Sequence, residues 1–226
     1  MKKMMMIAAM MVATMSASAQ FEPGTWSIQP KVGMNLSKVS NMPKFNDSGV
    51  NVDRSLYAGF VIGGEFEYQV AKPFSLAAGL NFSMQGCQWD DYKIKEDDGV
   101  EHEYKDNRIE LNYINLPIVA NIYLFKGFAI KGGVQFGYLV SGNIKNTVKY
   151  NNETRDEDFK IYDFCNKFDV SIPVGISYQV PTIPIYIDGR AIFGLTDIIK
   201  KENLVPGYKN IKNQVFQLTV GYKFAL

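Results

Sequence analysis

Residues 219–226 read Thr219-Val220-Gly221-Tyr222-Lys223-Phe224-Ala225-Leu226, or TVGYKFAL. Most soluble domains end in a frayed, polar tail. This one ends on an alternation, with Val220, Tyr222, Phe224 and Leu226 apolar and Thr219, Gly221 and Lys223 between them. Period-2 alternation predicts a strand with two unlike faces. Working back from this segment, the same pattern predicts eight strands, over 26–36, 56–68, 74–84, 114–124, 128–140, 168–178, 183–193 and 216–226. The fourth has a flaw, because Ile109, Leu111 and Tyr113 just before it are apolar in the opposite phase. Either a bulge near Asn115-Leu116-Pro117 shifts the register, or those three point inward above the level where the other strands stop.

The connections alternate in length. AKP joins the second and third strands, FKG joins the fourth and fifth, and a short link around Pro181 joins the sixth and seventh. The others, at 37–54, 89–107, 142–166 and 194–213, are polar and run to roughly 15–25 residues, long for a compact soluble domain. Strict alternation of short and long loops is the mark of an outer-membrane barrel, with short periplasmic turns and longer outer loops. The fold predicted is therefore all-β: an eight-stranded antiparallel up-and-down transmembrane β-barrel, both termini periplasmic. The last strand must close against the first, so it cannot fray. Aromatic residues gather at strand ends, Trp26, Tyr68, Phe74, Phe125, Phe128, Tyr178 and Phe224 at one end and Tyr138 and Phe193 at the other. Such girdles belong at membrane interfaces.

The N-terminus agrees. MKKMMMIAAMMVATMSASAQ has two lysines, an apolar run from Met4 to about Met15, and Ala17-Ser18-Ala19. This reads as a secretory signal peptide, residues 1–19, cleaved after Ala19; the run is shorter than the roughly 20 residues a spanning helix needs. The barrel domain is then 20–226. Without Lys2 and Lys3, the 24 basic residues become 22 against 23 acidic ones, and no basic patch points to nucleic acid.

Three stretches carry a family resemblance: YINLPIVANIYLF with its central proline, the glycine-rich GGVQFGYLVSG, and the VGYKF ending. The chain resembles, over about 24–226, the outer-membrane β-barrel family of Bacteroidetes often labelled PorT-like. The resemblance implies an outer-membrane location. It also implies that Thr219, Gly221, Phe224 and Leu226 form a C-terminal insertion signal for the barrel-assembly machinery. The usual final residue is aromatic, and Leu226 departs from that.

If the apolar face meets lipid, the opposite parity lines the lumen. The inward charges are Lys31, Glu65, Glu67, Lys131, Asp169, Asp188, Arg190 and Lys223, four of each sign. The interior of an eight-stranded barrel is about wide enough for side chains to fill, and buried charges must pair or stay hydrated. A balanced set predicts an internal ion-pair network that plugs the barrel; the alternative is a narrow ion path or a proton-linked site. Cys87, 13 residues beyond Phe74, and Cys165, 15 before Val180, share inward parity and similar height above the outer rim. They either form a disulfide tying two loops together, which needs Cα atoms within about 7 Å, or remain two free thiols.

Catalysis has little to rest on. The lone histidine, His102, lies in the acidic stretch EDDGVEHEYKDNR with nothing to fix a partner serine. Asp97, Asp98, Glu101 and Glu103 lack calcium-loop spacing, and NETRDED (152–158) reads as another solvated charged loop. No enzyme activity, cofactor or metal is expected. The expected function is a structural or interaction scaffold for surface loops: envelope integrity, adhesion or support of a secretion complex. A small transport pore, and a soluble exported barrel with its apolar face inward around a hydrophobic ligand, are the alternatives. The expected partners are outer-membrane lipid and an envelope or surface partner through the loops.

Overall fold

The computed structural model describes residues 22–41, 45–47, 50–95, 99–150, 153–204 and 210–226; the side chains of 45–47, 50 and 51 are not described. The expected signal peptide, residues 1–19, lies outside the described residues. In chain order the strands are β1 (Trp26–Val39), β2 (Phe45–Asp47), β3 (Val50–Val52), β4 (Arg54–Ser55), β5 (Tyr57–Ala71), β6 (Phe74–Trp89), β7 (Tyr92–Lys95), β8 (Glu101–Phe125), β9 (Phe128–Tyr150), β10 (Glu153–Lys160), β11 (Phe168–Gln179), β12 (Ile185–Gly194), β13 (Asn213–Tyr222) and β14 (Phe224–Ala225). Twelve of them form one sheet, and β2 and β3 form a separate hairpin.

The long strands pair antiparallel with their neighbours in sequence, β1 with β5, β5 with β6, β6 with β8, β8 with β9, β9 with β11, β11 with β12 and β12 with β13. β13 then pairs with β1, so the path returns to its start and the sheet closes on itself. The closing seam continues into β14, where Ile28 faces Phe224 and the Leu226 amide donates to the Trp26 carbonyl at 2.8 Å. The ending alternates because it has a partner strand to its last residue.

Alternation sorts the faces as the sequence predicts. Val32, Met34, Phe60, Ile62, Leu80, Ile118, Val134, Phe193 and Leu218 all point outward, with Leu80 58% exposed. An apolar surface of this extent needs an apolar solvent. No helix of the described residues is long and apolar enough to cross a membrane; the apolar surface belongs to strands. Aromatic pairs sit at the ends of this band: Trp26 with Tyr68 (ring centroids 4.8 Å apart), Phe125 with Phe128 (4.7 Å), Tyr222 with Phe224 (4.3 Å), and Tyr138 with Phe168 (5.2 Å) at the far end.

Three short turns close one end, and at Lys126-Gly127 the tight reversal uses a left-handed glycine (Gly127, φ 82°). The opposite end departs from the sequence reading. The stretches 89–107 and 142–166, expected as loops, are largely strand. β8 has 25 residues and β9 has 23, where crossing a bilayer takes roughly 9–11. Their outer halves pair with each other and are flanked by β7 and β10. The period-2 signal is hidden there because both faces meet water: β10, which contains most of NETRDED, is exposed along nearly its whole length. Cross-strand pairs hold the blade, including stacked Tyr92 and Tyr104 and a His102 ring stacked on Tyr150 at 5.1 Å. Glu110 accepts from Arg108 (2.8 Å) and Lys145 (2.7 Å).

The opposite-phase residues of the fourth strand are also settled. Ile109, Leu111 and Tyr113 point inward and are buried, on the same parity as Asn115, Val119 and Asn121. No bulge lies at Asn115-Leu116-Pro117. The register slips higher up, where Asn112 faces Ser141 but Tyr113 faces Leu139, leaving Val140 of β9 as the extra residue.

Candidate functional site

The lumen is built by the inward parity of every strand. Seven of the eight expected charges lie there in two clusters. Arg190 on β12 is the centre of the first. It spans the lumen past β13 and β1 to Glu65 on β5, donating to both carboxylate oxygens at 2.7 and 2.9 Å. It also donates to its strand-mate Asp188 at 2.7 and 3.0 Å. Lys31 completes Glu65 and Lys131 completes Asp188. Arg190 and Glu65 are each 1% exposed. The bidentate fork fixes the distance between two strands that share no ladder, which a lysine could not do with the same geometry. In the second cluster, Glu67 accepts from Lys223 (2.9 Å), Ser75 (2.7 Å), Gln29 and Tyr123. Four donors on one carboxylate satisfy a charge that burial would otherwise penalise by several kcal/mol. The space left between Gln29, Glu67, Asn121, Tyr123, Lys131, Ser177, Tyr186 and Lys223 is about 10 Å³, at or below what one water needs.

Asp169 does not join. It is held by the Thr196 hydroxyl near the start of β11, facing Gly137, whereas Lys131 faces Gly175. Six residues of register separate the two levels. The network therefore has four cations and three carboxylates, not the expected four of each. Parity identifies the face but carries no information on height, and height decides this case.

Two of the four residues expected to form a C-terminal signal also shape the interior. Thr219 is buried. Gly221 faces Tyr186 across the ladder, and a Cβ on it would lie 2.5–2.6 Å from three atoms of the Tyr186 ring and hydroxyl. The glycine lets that ring lie flat across β13. Phe224 packs on Tyr222 and Leu226 is 71% exposed.

Above the polar layer the interior changes character. Val39, Val52, Cys87, Trp89, Ile109, Leu111, Tyr113, Leu139, Cys165, Ile198 and Ile211 form one buried apolar cluster. Two outer segments cover it. Asn166 N donates to Ile198 O at 2.7 Å, Lys200 N to Phe164 O at 3.0 Å, and Cys165 bridges to Ile199. A cavity of about 220 Å³ remains in this cap, lined by Val39, Leu111, Cys165, Ile198 and Ile211 among others. A second, of about 430 Å³, opens beside β1. The anti-phase Ile109-Leu111-Tyr113 run and the inward parity of Cys87 and Cys165 are the sequence signals of the cap; Trp89 and Ile198 gave none.

The disulfide considered for Cys87 and Cys165 is not formed: both are free, buried thiols. The inward fold of the outer segments does bring them into one cluster, where each packs as a small apolar group. Burial pushes the Cys87 thiol up to about 12 and the Cys165 thiol up to about 11, which keeps them protonated and slow to react. His102 lies in a strand, not a loop. Among the described residues no group of three or more His, Cys, Asp or Glu is placed to hold a metal ion.

The family-model comparison agrees with this architecture. The family model described as outer membrane protein beta-barrel domain matches residues 18–200. Among solved structures, Ail, the attachment invasion locus protein of Yersinia pestis, superposes with TM-score 0.43 at 14% identity, covering 89% of this chain and 99% of that one. Neisserial surface protein A (NspA) gives 0.44 at 12%, covering 88% and 97%. OprG from Pseudomonas aeruginosa gives 0.42 at 12%, covering 92% and 99%. Likeness at this level says nothing of function. No curated protein gives a match. A closed antiparallel sheet with an apolar outer face, matched over most of its length by that family model, belongs to the outer membrane protein beta-barrel domain family, and its place is the outer membrane.

Proposed function

We propose that the protein is an eight-stranded, up-and-down transmembrane barrel, with short periplasmic turns and long outer hairpins, that serves as a scaffold for surface interaction rather than as a conduit. Its tasks would be envelope integrity, adhesion or support of a secretion complex through a partner met by the outer hairpins. The observation that carries this reading is the filled lumen: two buried ion-pair clusters, a void of about 10 Å³ beside Glu67 and Lys223, and an apolar cluster above them. A lumen this filled, inside strands that rise far beyond the lipid, suits a protein built to present a surface.

The rest of the reading follows the sequence. Residues 1–19 direct export and are removed after Ala19. The barrel-assembly machinery reads Thr219, Gly221, Phe224 and Leu226. The chain stands in the PorT-like branch of Bacteroidetes, on the strength of YINLPIVANIYLF, GGVQFGYLVSG and VGYKF. No catalytic or cofactor role is assigned. The test is conductance across a planar bilayer, on protein whose gel mobility in SDS shifts on boiling. The expected result is a mobility shift with no steady single-channel current. A steady ion current would overturn the scaffold reading and make the lumen a pore.

A further inference from the structure

The barrel wall has a break at its outer rim. β1 pairs with β5 up to Ser37 and Tyr57, and beyond that level, among the described residues, β1 continues alongside β13. Across the break, β4 pairs instead with β6, Arg54 facing Trp89 and Ser55 facing Gln88. What joins the two sides is a side chain: Arg54 Nη1 donates to the Val39 carbonyl at 3.4 Å. The 430 Å³ cavity fills this break, lined by Lys38, Val39, Ser40, Asn41, Arg54, Ser55, Leu56, Cys87 and Gln214. Its size is that of a small-molecule site.

The chemistry of the opening is uneven in a useful way. Lys38 and Arg54 are its charged lining residues among those described, and both are exposed on the outward parity. Each stands two residues above a leucine on the same outward face, Lys38 above Leu36 and Arg54 above Leu56, and Leu56 is 53% exposed. The polar wall is held in place from behind. Ser40 and Asn41 both donate to the Asn210 carbonyl, at 3.0 and 3.1 Å, and Ser55 donates to Asp90. The opening thus sits where the apolar belt ends, with cations just above hydrocarbon. That is the geometry that holds a phosphorylated lipid: charge-assisted hydrogen bonds to the headgroup, acyl chains along the leucines below.

We propose that this break in the wall is a binding site for the phosphate headgroup of an outer-leaflet lipid, held by Lys38 and Arg54. The proposal rests on the membrane orientation given above. A free phosphate would meet the same two cations, but Leu56 in the lining and Leu36 two residues below Lys38 on the outward face favour a ligand with chains.

The test uses the full mature chain in phosphatidylcholine nanodiscs doped with a minor fraction of phosphatidic acid. Lipid retained after detergent extraction is counted by native mass spectrometry. The wild type is expected to retain phosphatidic acid over phosphatidylcholine, and the double variant Lys38→Gln with Arg54→Gln to lose that preference by roughly tenfold or more. The charge-preserving pair Lys38→Arg with Arg54→Lys is expected to keep it. Equal retention by the wild type and the glutamine variant overturns the proposal. Displacement of the lipid by excess inorganic phosphate overturns the lipid source and makes the ligand a soluble phosphate. A boiling-dependent gel shift is recorded for every sample. Its loss in the wild type would break the barrel reading, whereas lost lipid preference with the shift intact bears on this site alone.

Discussion

The lower lumen and the outer cap are one continuous interior built by the same strands, yet they are opposite in chemistry. At the level of Lys131 and Asp188 the interior is ionic; a few residues higher, at Leu111 and Leu139, it is hydrocarbon. The side-chain parity does not change between them. On β8, Asn121 below and Leu111 above point the same way. What changes is the solvent outside. Beside lipid, the apolar residues are used on the outer face, and the inner face can be polar because its charges satisfy one another. Above the lipid, the outer face meets water, and burial of apolar groups inside becomes the favourable arrangement. Apolar residues follow the solvent, and the strand merely offers two faces.

The sharpest way to break the comparison is to remove the central cation. Arg190→Met leaves Glu65 and Asp188 short of their main partner in a dry layer, and is expected to cost about 3–5 kcal/mol. Urea titration of the vesicle-inserted protein, followed by tryptophan fluorescence, measures this. Adding Glu65→Gln and Asp188→Asn to Arg190→Met is expected to recover part of the loss, and failure to do so would mean that the layer is packed by shape and not by charge. In the cap, Leu111→Ala is expected to cost about 3 kcal/mol through the cavity it leaves. Of the two tryptophans, Trp89 belongs to the cap and Trp26 to the opposite end. A variant keeping only Trp89 should therefore register the Leu111 change at lower urea than one keeping only Trp26. Coincident transitions would mean that cap and lumen unfold as one unit.

Gly221→Ala is a smaller perturbation, at the seam. The added methyl must displace the Tyr186 ring, with an expected cost of about 1–3 kcal/mol and a lower temperature for the gel-mobility shift. An unchanged shift temperature would show that the ring has room to move. The smallest effect belongs to the blade. Burial pushes the Glu110 carboxyl up, but hydrogen bonds from Arg108 and Lys145 outweigh it and hold the group below its ordinary range. A depressed carboxylate contributes stability that is present above its unfolded value of about 4.3 and lost as the pH falls through the lower folded value. Glu110→Gln is therefore expected to cost about 0.5 kcal/mol at neutral pH and nothing in strong acid. Hydrogen exchange at Asn143–Lys145 across the pH range reads this; a loss that persists in acid would point to packing instead of charge.

The ionic layer was legible residue by residue because parity in a strand is a local property. Once Val32 and Met34 are placed on the lipid face, Lys31 has one direction left. Asp169 shows the limit, since its partner depended on the level at which β11 pairs with β9. The cap was barely legible. Its members come from β1, β3, β6, β8, β9 and two non-strand segments, and only Ile109, Leu111 and Tyr113 broke the local pattern. The blade strands were missed because water on both faces removes the alternation on which a strand is recognised.

The sequence by itself determined the strands that cross, the face each shows to lipid, the closure implied by TVGYKFAL, and seven lumen charges, all from a two-residue period. Only the tertiary structure decided which charges meet, that Cys87 and Cys165 lie together as free thiols, and that the wall parts between β1 and β4. Those outcomes depend on relative height and register between strands distant in sequence, which are set by long-range pairing and by the solvent on either side.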